Sequence, residues 1–214
     1  MDTKLFSLMK KCPSVVKEAL IRKNLKAGEK IIEQGDNIHN FYVVLEGSIK
    51  VYYTATSGKS HIQNILEKGD IFGELEVLQE KPSICNVEAI NASEILVIPR
   101  SAYRMWLEKD FQFSLFINEL ICNKFYLKTK KISEDILYPL SFRLVNHILF
   151  LHEKHDSDVF EVSKSLIADE LATSVRSLNR LIMDLNQRGL IDYEKNKLRI
   201  LDYQGLRMEK ERYL

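Results

Sequence analysis

Residues 163–188 read SKSLIADELATSVRSLNRLIMDLNQR and have the apolar spacing of two short helices joined by a turn. Ser163 is predicted to cap the first helix and Ser174 the second, because a serine hydroxyl accepts hydrogen bonds from the free amides of a helix start. Ala172, a small residue, lies at the turn, where glycine is more usual. This arrangement predicts a helix-turn-helix. Its inward apolar residues are Ile167, Ala168, Leu171, Leu178, Leu181, Ile182 and Leu185.

The second of these helices carries polar side chains opposite its apolar stripe. In a helix-turn-helix, the first part of this helix enters the major groove of DNA. Arginine and asparagine can form paired hydrogen bonds with base edges there, and a serine near the positive end of the helix can bind phosphate. The DNA contacts predicted on this helix are Ser174, Val175, Arg176, Ser177, Asn179 and Arg180.

The following stretch, GLIDYEKNKLRILD at 189–202, has the pattern of two strands joined by a tight turn. Lys195 and Lys197 flank the tip of this predicted wing and are expected to contact DNA. Between residues 174 and 200, six basic residues outnumber three acidic ones, although the formal net charge of the chain is only +1. A local basic patch of this kind favours nucleic acid as a partner. The alternative is a generic helical pair and hairpin with solvated charges.

A different pattern precedes the helices. From about residue 29 to Pro99, short alternating segments rich in Ile, Val and Tyr end at glycines, which predicts an all-β barrel or jelly roll. After Pro99 the apolar period becomes helical. We therefore predict an α+β fold: an N-terminal β-roll (jelly roll), a long dimerisation helix and a C-terminal winged helix-turn-helix. The predicted domains are residues 1–109 for the β-roll, 110–137 for the dimerisation helix and hinge, and 138–214 for the DNA-binding domain.

A single long helix is predicted from about Asp110 to Ser133. Its two apolar sides indicate that one packs on the β-roll of the same chain and the other on a partner chain; burial within one subunit is the alternative. The residues assigned to the dimerisation helix are Phe113, Phe116, Leu120 and Leu127. A proline at position 139 is expected to open the next helix, which the polar run EKHDSD at 153–158 would end.

Composition and motifs exclude several classes of protein. The chain shows no signal peptide and no run of about 18 apolar residues, so we expect a cytoplasmic protein without a membrane partner. Cys12, Cys85 and Cys122 have no paired spacing, which argues against disulfides and metal clusters and leaves a redox role of Cys85 or Cys122 open. Nucleotide-binding and hydrolase motifs are absent from the sequence. We predict neither an enzyme nor a metal site.

The order of these parts resembles the Crp/Fnr superfamily of bacterial transcription regulators. GDIFGELEVL at 69–78 resembles the phosphate-binding cassette of that family, and YPLSFRLVNHIL at 138–149 the segment after its dimer helix, with Arg143 at the usual arginine position. IADELATSVRSLNRLIMDL at 167–185 resembles the DNA-reading helices. Within it, SVRSLNR resembles the YeiL-like branch. The resemblance implies a homodimer on palindromic double-stranded DNA, with half-sites roughly 34 Å apart, and RNA polymerase as a further partner.

The resemblance also implies that the β-roll of residues 1–109 is a cyclic-nucleotide-binding-like sensor with an effector pocket. In cyclic-nucleotide-binding members, the cassette and an Arg-Ser pair bind the cyclic phosphate, and a cassette glutamate binds the ribose. Here Ser83 and Ile84 occupy the Arg-Ser positions. Lys128 and Thr129 stand where the catabolite activator has the Thr-Ser pair that touches adenine. The candidate pocket residues are Gly73, Glu74, Leu75, Ser83, Ile84, Lys128 and Thr129.

These departures argue against cAMP, and the cysteine and histidine positions argue against an iron-sulfur cluster or haem, so the effector is unknown. Glu74 is either a residue that stabilises the roll or a pocket residue. The expected function is a dimeric, sequence-specific DNA-binding transcription regulator of the Crp/Fnr type that responds to an effector other than cAMP. The alternative is a cyclic-nucleotide-binding regulatory module that acts through a protein partner rather than DNA.

Overall fold

The computed structural model describes residues 2–213, so Met1 and Leu214 lie outside the described residues. The chain divides into two compact units, residues 1–125 and 126–214, and the division falls within one long helix. The predicted boundaries after residues 109 and 137 remain a prediction. No helix within residues 2–213 combines the length and the hydrophobicity that crossing a membrane needs.

The first unit is built on two four-stranded antiparallel sheets, with strand orders β1-β8-β3-β6 and β2-β7-β4-β5. Alternation of apolar and polar residues gives each sheet one face that packs into a shared core. The strands are β1 (Ile21–Leu25), β2 (Lys30–Ile32), β3 (Asn40–Glu46), β4 (Ile49–Thr54), β5 (Ser60–Leu66), β6 (Ile71–Phe72), β7 (Asn86–Ala89) and β8 (Ser93–Pro99).

Helices complete the first unit. Tyr103 stacks on Phe41 of β3 with ring centroids 4.2 Å apart, which joins a helix to a sheet, and Trp106 stacks on Phe113 at 3.6 Å, which joins two helices. The helices are α1 (Asp2–Lys11), α2 (Ser14–Glu18), α3 (Glu74–Gln79), α4 (Arg100–Lys109) and the first part of α5 (Phe111–Leu137). The short α3 was not predicted, because its six residues are too few to show a helical apolar period.

The second unit contains the predicted helix-turn-helix and wing around its own apolar core. A three-stranded antiparallel sheet has the order β10-β11-β9. Its third strand, β9, was not predicted. After the end of α5, the elements are α6 (Leu140–His155), β9 (Val159–Glu161), α7 (Lys164–Glu170), α8 (Val175–Gln187), β10 (Ile191–Glu194), β11 (Lys197–Ile200) and α9 (Tyr203–Glu211).

Two predicted helix ends need correction. Helix α5 continues to Leu137, four residues beyond the predicted Ser133, and stops just before Pro139, which cannot continue a helix. Helix α6 includes Glu153 to His155 of the polar run that was expected to end it. It ends where Asp156 adopts a left-handed φ of 48°. Polarity alone was therefore a poor helix-stop signal, since charged residues are compatible with an exposed last turn.

Candidate nucleic-acid interface

The first helix of the helix-turn-helix, α7, begins at the predicted cap. Ser163 Oγ accepts a hydrogen bond from the Leu166 amide at 3.2 Å, while Ile167 and Ala168 are buried. The turn that follows contains Ala172 with φ 49°. This left-handed conformation costs a residue with a Cβ about 1 kcal/mol. Ala172 thus adopts the left-handed conformation that glycine would adopt at lower cost, and the turn forms without a glycine.

The second helix, α8, is fixed at its start by a serine pair. Ser174 Oγ accepts a hydrogen bond from the Ser177 amide at 3.1 Å, and the two hydroxyl oxygens lie 2.9 Å apart. One shared hydrogen bond uses only one of the two hydroxyl hydrogens, so the other can still be donated. Leu178, Ile182 and Leu185 are buried below the helix, and both predicted helix caps are confirmed.

The solvent face of α8 carries two arginines one turn apart. Arg176 and Arg180 are exposed, and within residues 2–213 neither guanidinium forms an ion pair or a hydrogen bond. Val175 and Met183 are exposed beside them. Met183 was missed by the sequence analysis, although its spacing of three residues from Arg180 and seven from Arg176 places it on the same face. This face therefore presents two unpaired guanidinium groups beside apolar side chains.

Asn179 does not share that face fully. The residue is half-buried, and its side-chain oxygen is shielded from solvent without a hydrogen-bond partner in the described part of the chain. Its position explains this, because it follows buried Leu178 and precedes buried Ile182 at the edge of the apolar stripe. The prediction that Asn179 points outward with the arginines is corrected accordingly.

The wing has the predicted hairpin geometry. Lys195 and Asn196 form its two-residue tip with φ 51° and 62°, the pair of positive values that a tight hairpin turn requires. The side chain of Lys195 is 89% exposed, and its Nζ lies 3.3 Å from Glu194 Oε1. Lys197 pairs across the sheet with Glu194 on one side and with Glu161 on the other.

The predicted basic patch is therefore smaller than its residue count suggests. Arg199 lies opposite Asp192 across the wing strands, and Arg188 forms ion pairs with Asp184 and Glu209. A groove of about 510 Å³ beside the wing is lined by both acidic and basic side chains. Uncompensated positive charge is thus concentrated at the start of α8, because the wing strands alternate acids and bases across their outer face.

The cassette-like segment holds Glu74 in a structural ion pair. Gly73 precedes α3 with φ 81°, and a Cβ there would lie 2.8 Å from the Asn40 carbonyl oxygen, so only glycine fits. Glu74 is buried, and Lys124 of α5 places its Nζ 2.7 Å from Glu74 Oε1. The same ammonium donates to the Ile71 carbonyl at 2.7 Å. Of the two interpretations of Glu74, the contacts favour the stabilising one.

The positions where an Arg-Ser pair was sought present no cation. Ser83 is buried, and its hydroxyl faces the Cys85 carbonyl at 2.9 Å and Glu76 Oε1 at 3.2 Å. Ile84 is 68% exposed, as is much of Leu75 beside the cassette. The other two candidate pocket residues, Lys128 and Thr129, are exposed on the later part of α5. Among residues 2–213, no group of His, Cys, Asp and Glu has an arrangement that could hold a metal ion.

The apolar residues of helix α5 form two groups, one buried in the core of the first unit and one exposed. Phe113, Phe116 and Leu120 are buried in the core of the first unit, so these three residues of the predicted dimerisation helix are not available to a partner chain. This placement corrects their expected role. Leu127 is exposed, and its contact with a partner chain stays a prediction. The other exposed apolar side chains of α5 are Phe111, Leu115 and Phe125 in the first unit and Tyr126, Ile132, Ile136 and Leu137 in the second. Together with Leu127, the four in the second unit are here called the α5 outer face.

Comparisons with known proteins agree with both units. The family model of the cyclic nucleotide-binding domain matches residues 22–110, and that of the Crp-like helix-turn-helix domain matches residues 142–209. A CRP-like cAMP-activated global transcriptional regulator of Mycobacterium tuberculosis is 20% identical over 186 residues, covering 84% of this chain and 83% of the relative.

Solved structures share the fold over nearly the whole chain. A mutant of CooA from Carboxydothermus hydrogenoformans has a TM-score of 0.78 at 18% identity, covering 92% of this chain and 90% of that chain. A transcriptional regulator of the CRP/FNR family from Thermus thermophilus has a TM-score of 0.75 at 20% identity, covering 89% and 98%. These similarities confirm the predicted α+β fold class.

A β-roll of the cyclic-nucleotide-binding type followed by a winged helix-turn-helix defines a DNA-binding regulator, not an enzyme. The function expected from the sequence is thereby confirmed at this level, and the alternative of a module that acts through a protein partner is not favoured. The chain belongs to the Crp/Fnr family of transcription regulators.

Proposed function

We propose that the start of α8 reads base edges in the major groove through Arg176 and Arg180. The observation that carries this proposal is that both guanidinium groups are exposed and unpaired within residues 2–213. An arginine fork forms two hydrogen bonds with a guanine edge, and each such pair contributes about 1–3 kcal/mol of discrimination. Val175 is suited to contact a thymine methyl group.

Phosphate contacts fix the helix in the groove. The free hydroxyl hydrogen of the Ser174 and Ser177 pair lies at the positive end of α8, which suits a backbone phosphate. Lys195 and Lys197 of the wing contact phosphates more weakly, because acidic neighbours offset their charge. Asn179 contributes little to base recognition, since its side-chain oxygen is buried.

A homodimer presents two copies of this interface to a palindromic site. The α5 outer face supports this assembly, because it exposes large apolar side chains that a second copy of the helix would cover. Two-fold symmetry would place half-site centres about one helical turn, roughly 34 Å, apart. Contact with RNA polymerase, a cytoplasmic location and membership of the YeiL-like branch belong to the same proposal and rest on family resemblance.

The effector is a molecule other than cAMP. The M. tuberculosis relative is cAMP-activated by its name. In this chain, however, Ser83 and Ile84 supply no cation for a cyclic phosphate, and Glu74 is already bound by Lys124. An ammonium at 2.7 Å from the carboxylate competes directly with a ribose hydroxyl for its oxygen. An iron-sulfur cluster and haem are likewise not expected as cofactors.

DNA binding by the purified protein tests this function. Sites would be enriched from a random-sequence duplex library and binding measured by fluorescence anisotropy, with and without cAMP. Arg176→Ala and Arg180→Ala should each lose about 1–3 kcal/mol of specific binding. The control is Arg22→Ala, which removes one positive charge from β1 of the first unit. Unchanged affinity of both α8 variants would refute the groove assignment, and binding that requires cAMP would refute the effector proposal.

A further inference from the structure

A partly buried polar cluster surrounds the C-terminal end of α7, immediately before the turn to the recognition helix. It joins three elements: Lys131 and Asp135 from α5, Arg143 and His147 from α6, and Glu170 as the last residue of α7. We call these five residues the α7 clamp. All five belong to the second unit.

Two cationic side chains of the clamp bind backbone carbonyls at the end of α7. Arg143 Nη1 donates to the Leu171 carbonyl at 3.0 Å, and Lys131 Nζ donates to the Glu170 carbonyl at 3.4 Å. The last carbonyls of a helix lack partners within the helix and carry partial negative charge, so cations stabilise them. Asp135 holds both cations, with oxygens 3.2 Å from Lys131 and 3.3 Å from Arg143.

The acid and imidazole of the clamp face each other with limited exposure to water, 21% for the Glu170 side chain and 12% for that of His147. Glu170 Oε2 lies 3.5 Å from His147 Nε2, and this nitrogen is buried without a hydrogen-bond partner in the part of the chain described. Burial raises the pKa of Glu170 to about 7 and lowers the pKa of His147 to about 4. Near neutral pH the imidazole is therefore neutral, and the carboxyl changes its charge.

Other charged groups also shift the pKa of Glu170 or change the charge around it. Lys131 of α5 and Lys154 of α6 lower the pKa of Glu170, although less than burial raises it, and Lys131 also lowers the pKa of His147. Arg143 of α6 adds positive charge at the same helix end. Asp135 of α5 and Asp169, the neighbour of Glu170 in α7, add negative charge. The C-terminal position of Glu170 itself disfavours a carboxylate, because that end of a helix is negative.

We propose that the α7 clamp positions the recognition helix, and that loss of the Glu170 proton loosens it so that DNA affinity falls as the pH rises through neutrality. In the protonated state, the Glu170 hydroxyl can donate to neutral His147 Nε2 and satisfy both groups. When the proton leaves to solvent, a partly buried carboxylate remains at the negative helix end and draws Lys131 away from Asp135. Glu170 is a positioning residue, since it acts on the DNA-reading side chains through the turn at Ala172.

The position of the clamp explains why a small change there matters. Only four residues, Leu171 to Ser174, separate Glu170 from the first residue of α8. Leu171 is buried, its carbonyl is held by Arg143, and Ala172 is in a left-handed conformation. A shift of the α7 end is therefore passed directly to the cap of the recognition helix. This inference rests on the proposed DNA-reading role of α8.

The test measures the affinity of the full-length protein for a fluorescent duplex carrying its library-selected site, from about pH 6 to about pH 8.5 at constant ionic strength. Wild-type protein should lose about fivefold or more in affinity across this range. Glu170→Gln keeps a neutral amide at the position and should give a flat profile. Glu153→Gln, on the exposed last turn of α6, makes the same chemical change outside the clamp and should behave as wild type.

A second variant separates titration from simple loss of structure. Lys131→Met removes a cation that lowers the pKa of Glu170, so the midpoint of the affinity change should move to higher pH. A purely structural role would lower affinity equally at every pH. A wild-type profile that matches Glu170→Gln, or an unchanged midpoint in Lys131→Met, would overturn the proposal. Failure of the groove assignment would appear separately, as wild-type affinity in Arg176→Ala and Arg180→Ala.

Discussion

The buried ion pair between Lys124 and Glu74 should couple α5 to the roll far more strongly than an exposed pair on the same helix. The side chain of Glu74 is 7% exposed and that of Lys124 is 32% exposed, with 2.7 Å between Nζ and Oε1. Lys4 of α1 and Glu119 of α5 form a second ion pair within the first unit at 2.8 Å, but their side chains are 52% and 55% exposed. The distance between nitrogen and oxygen is thus nearly the same in the two ion pairs, whereas their exposure to solvent differs.

The expected magnitude follows from this contrast. Breaking a fully buried ion pair costs about 3–5 kcal/mol, and the partial exposure of Lys124 reduces the expected loss in Lys124→Met to about 2–4 kcal/mol, including its hydrogen bond to Ile71. A double-mutant cycle with Glu74→Gln should give a coupling energy of about 1.5–3 kcal/mol. The corresponding cycle with Lys4→Met and Glu119→Gln should give about 0.2–1 kcal/mol.

Urea unfolding followed by tryptophan fluorescence provides the assay. Trp106 is the single tryptophan of the chain and stacks on Phe113 in the core of the first unit, so its emission reports on the unit that contains both ion pairs. Coupling energies that are equal in the two cycles would refute the reasoning. So would a coupling below about 0.5 kcal/mol for Lys124 and Glu74, which is the value of an ordinary surface pair.

Three further substitutions test backbone strain and proton linkage. Ala172→Gly should raise the free energy of unfolding by about 1 kcal/mol in thermal unfolding, because it relieves a left-handed alanine; a lower melting temperature would contradict this. Gly73→Ala should destabilise the first unit by more than about 1 kcal/mol in the Trp106 assay, since its Cβ would meet the Asn40 carbonyl; wild-type stability would contradict the close approach. The pKa of Glu170 is raised to about 7 from 4.5, so its contribution to stability is fully present below about pH 4.5 and is lost as the pH rises through about 7. Glu170→Gln should therefore remove this loss when unfolding is compared at several pH values, and an unchanged stability difference from wild type between pH 5 and pH 8 would contradict the shifted pKa.

Local signals predicted most of the second unit. Serine caps, apolar spacing and the two-residue tip depend on neighbours within a few residues, and Ser163, Ser174 and Lys195 lie as expected. Glycine punctuation predicted the roll for the same reason. The short strand β9 was not predicted because its three residues are too few to show a periodic pattern. The strand forms by pairing with β11, which is distant in sequence.

Charge compensation and helix-face assignment could not be obtained from sequence alone. Counting basic residues around the wing ignored Glu161, which a separate strand places beside Lys197. On α5, periodicity indicated two apolar sides but not which one meets the roll, so the burial of Phe113 in the core of the first unit could not be predicted. The Lys124 contact with Glu74 joins residues fifty positions apart, and no local pattern indicates such a partner.

The alternation of acids and bases on the wing has a consequence for how the protein finds its site. Each phosphate that a protein neutralises releases a counterion, and affinity falls with salt by a logarithmic slope of about 0.9 per phosphate. Because carboxylates lie beside the wing lysines, this chain should release fewer ions on binding than its count of basic residues suggests. Its site occupancy should therefore vary less with ionic strength. Correspondingly less protein would be retained on bulk chromosomal DNA, so sliding along DNA would contribute less to the search.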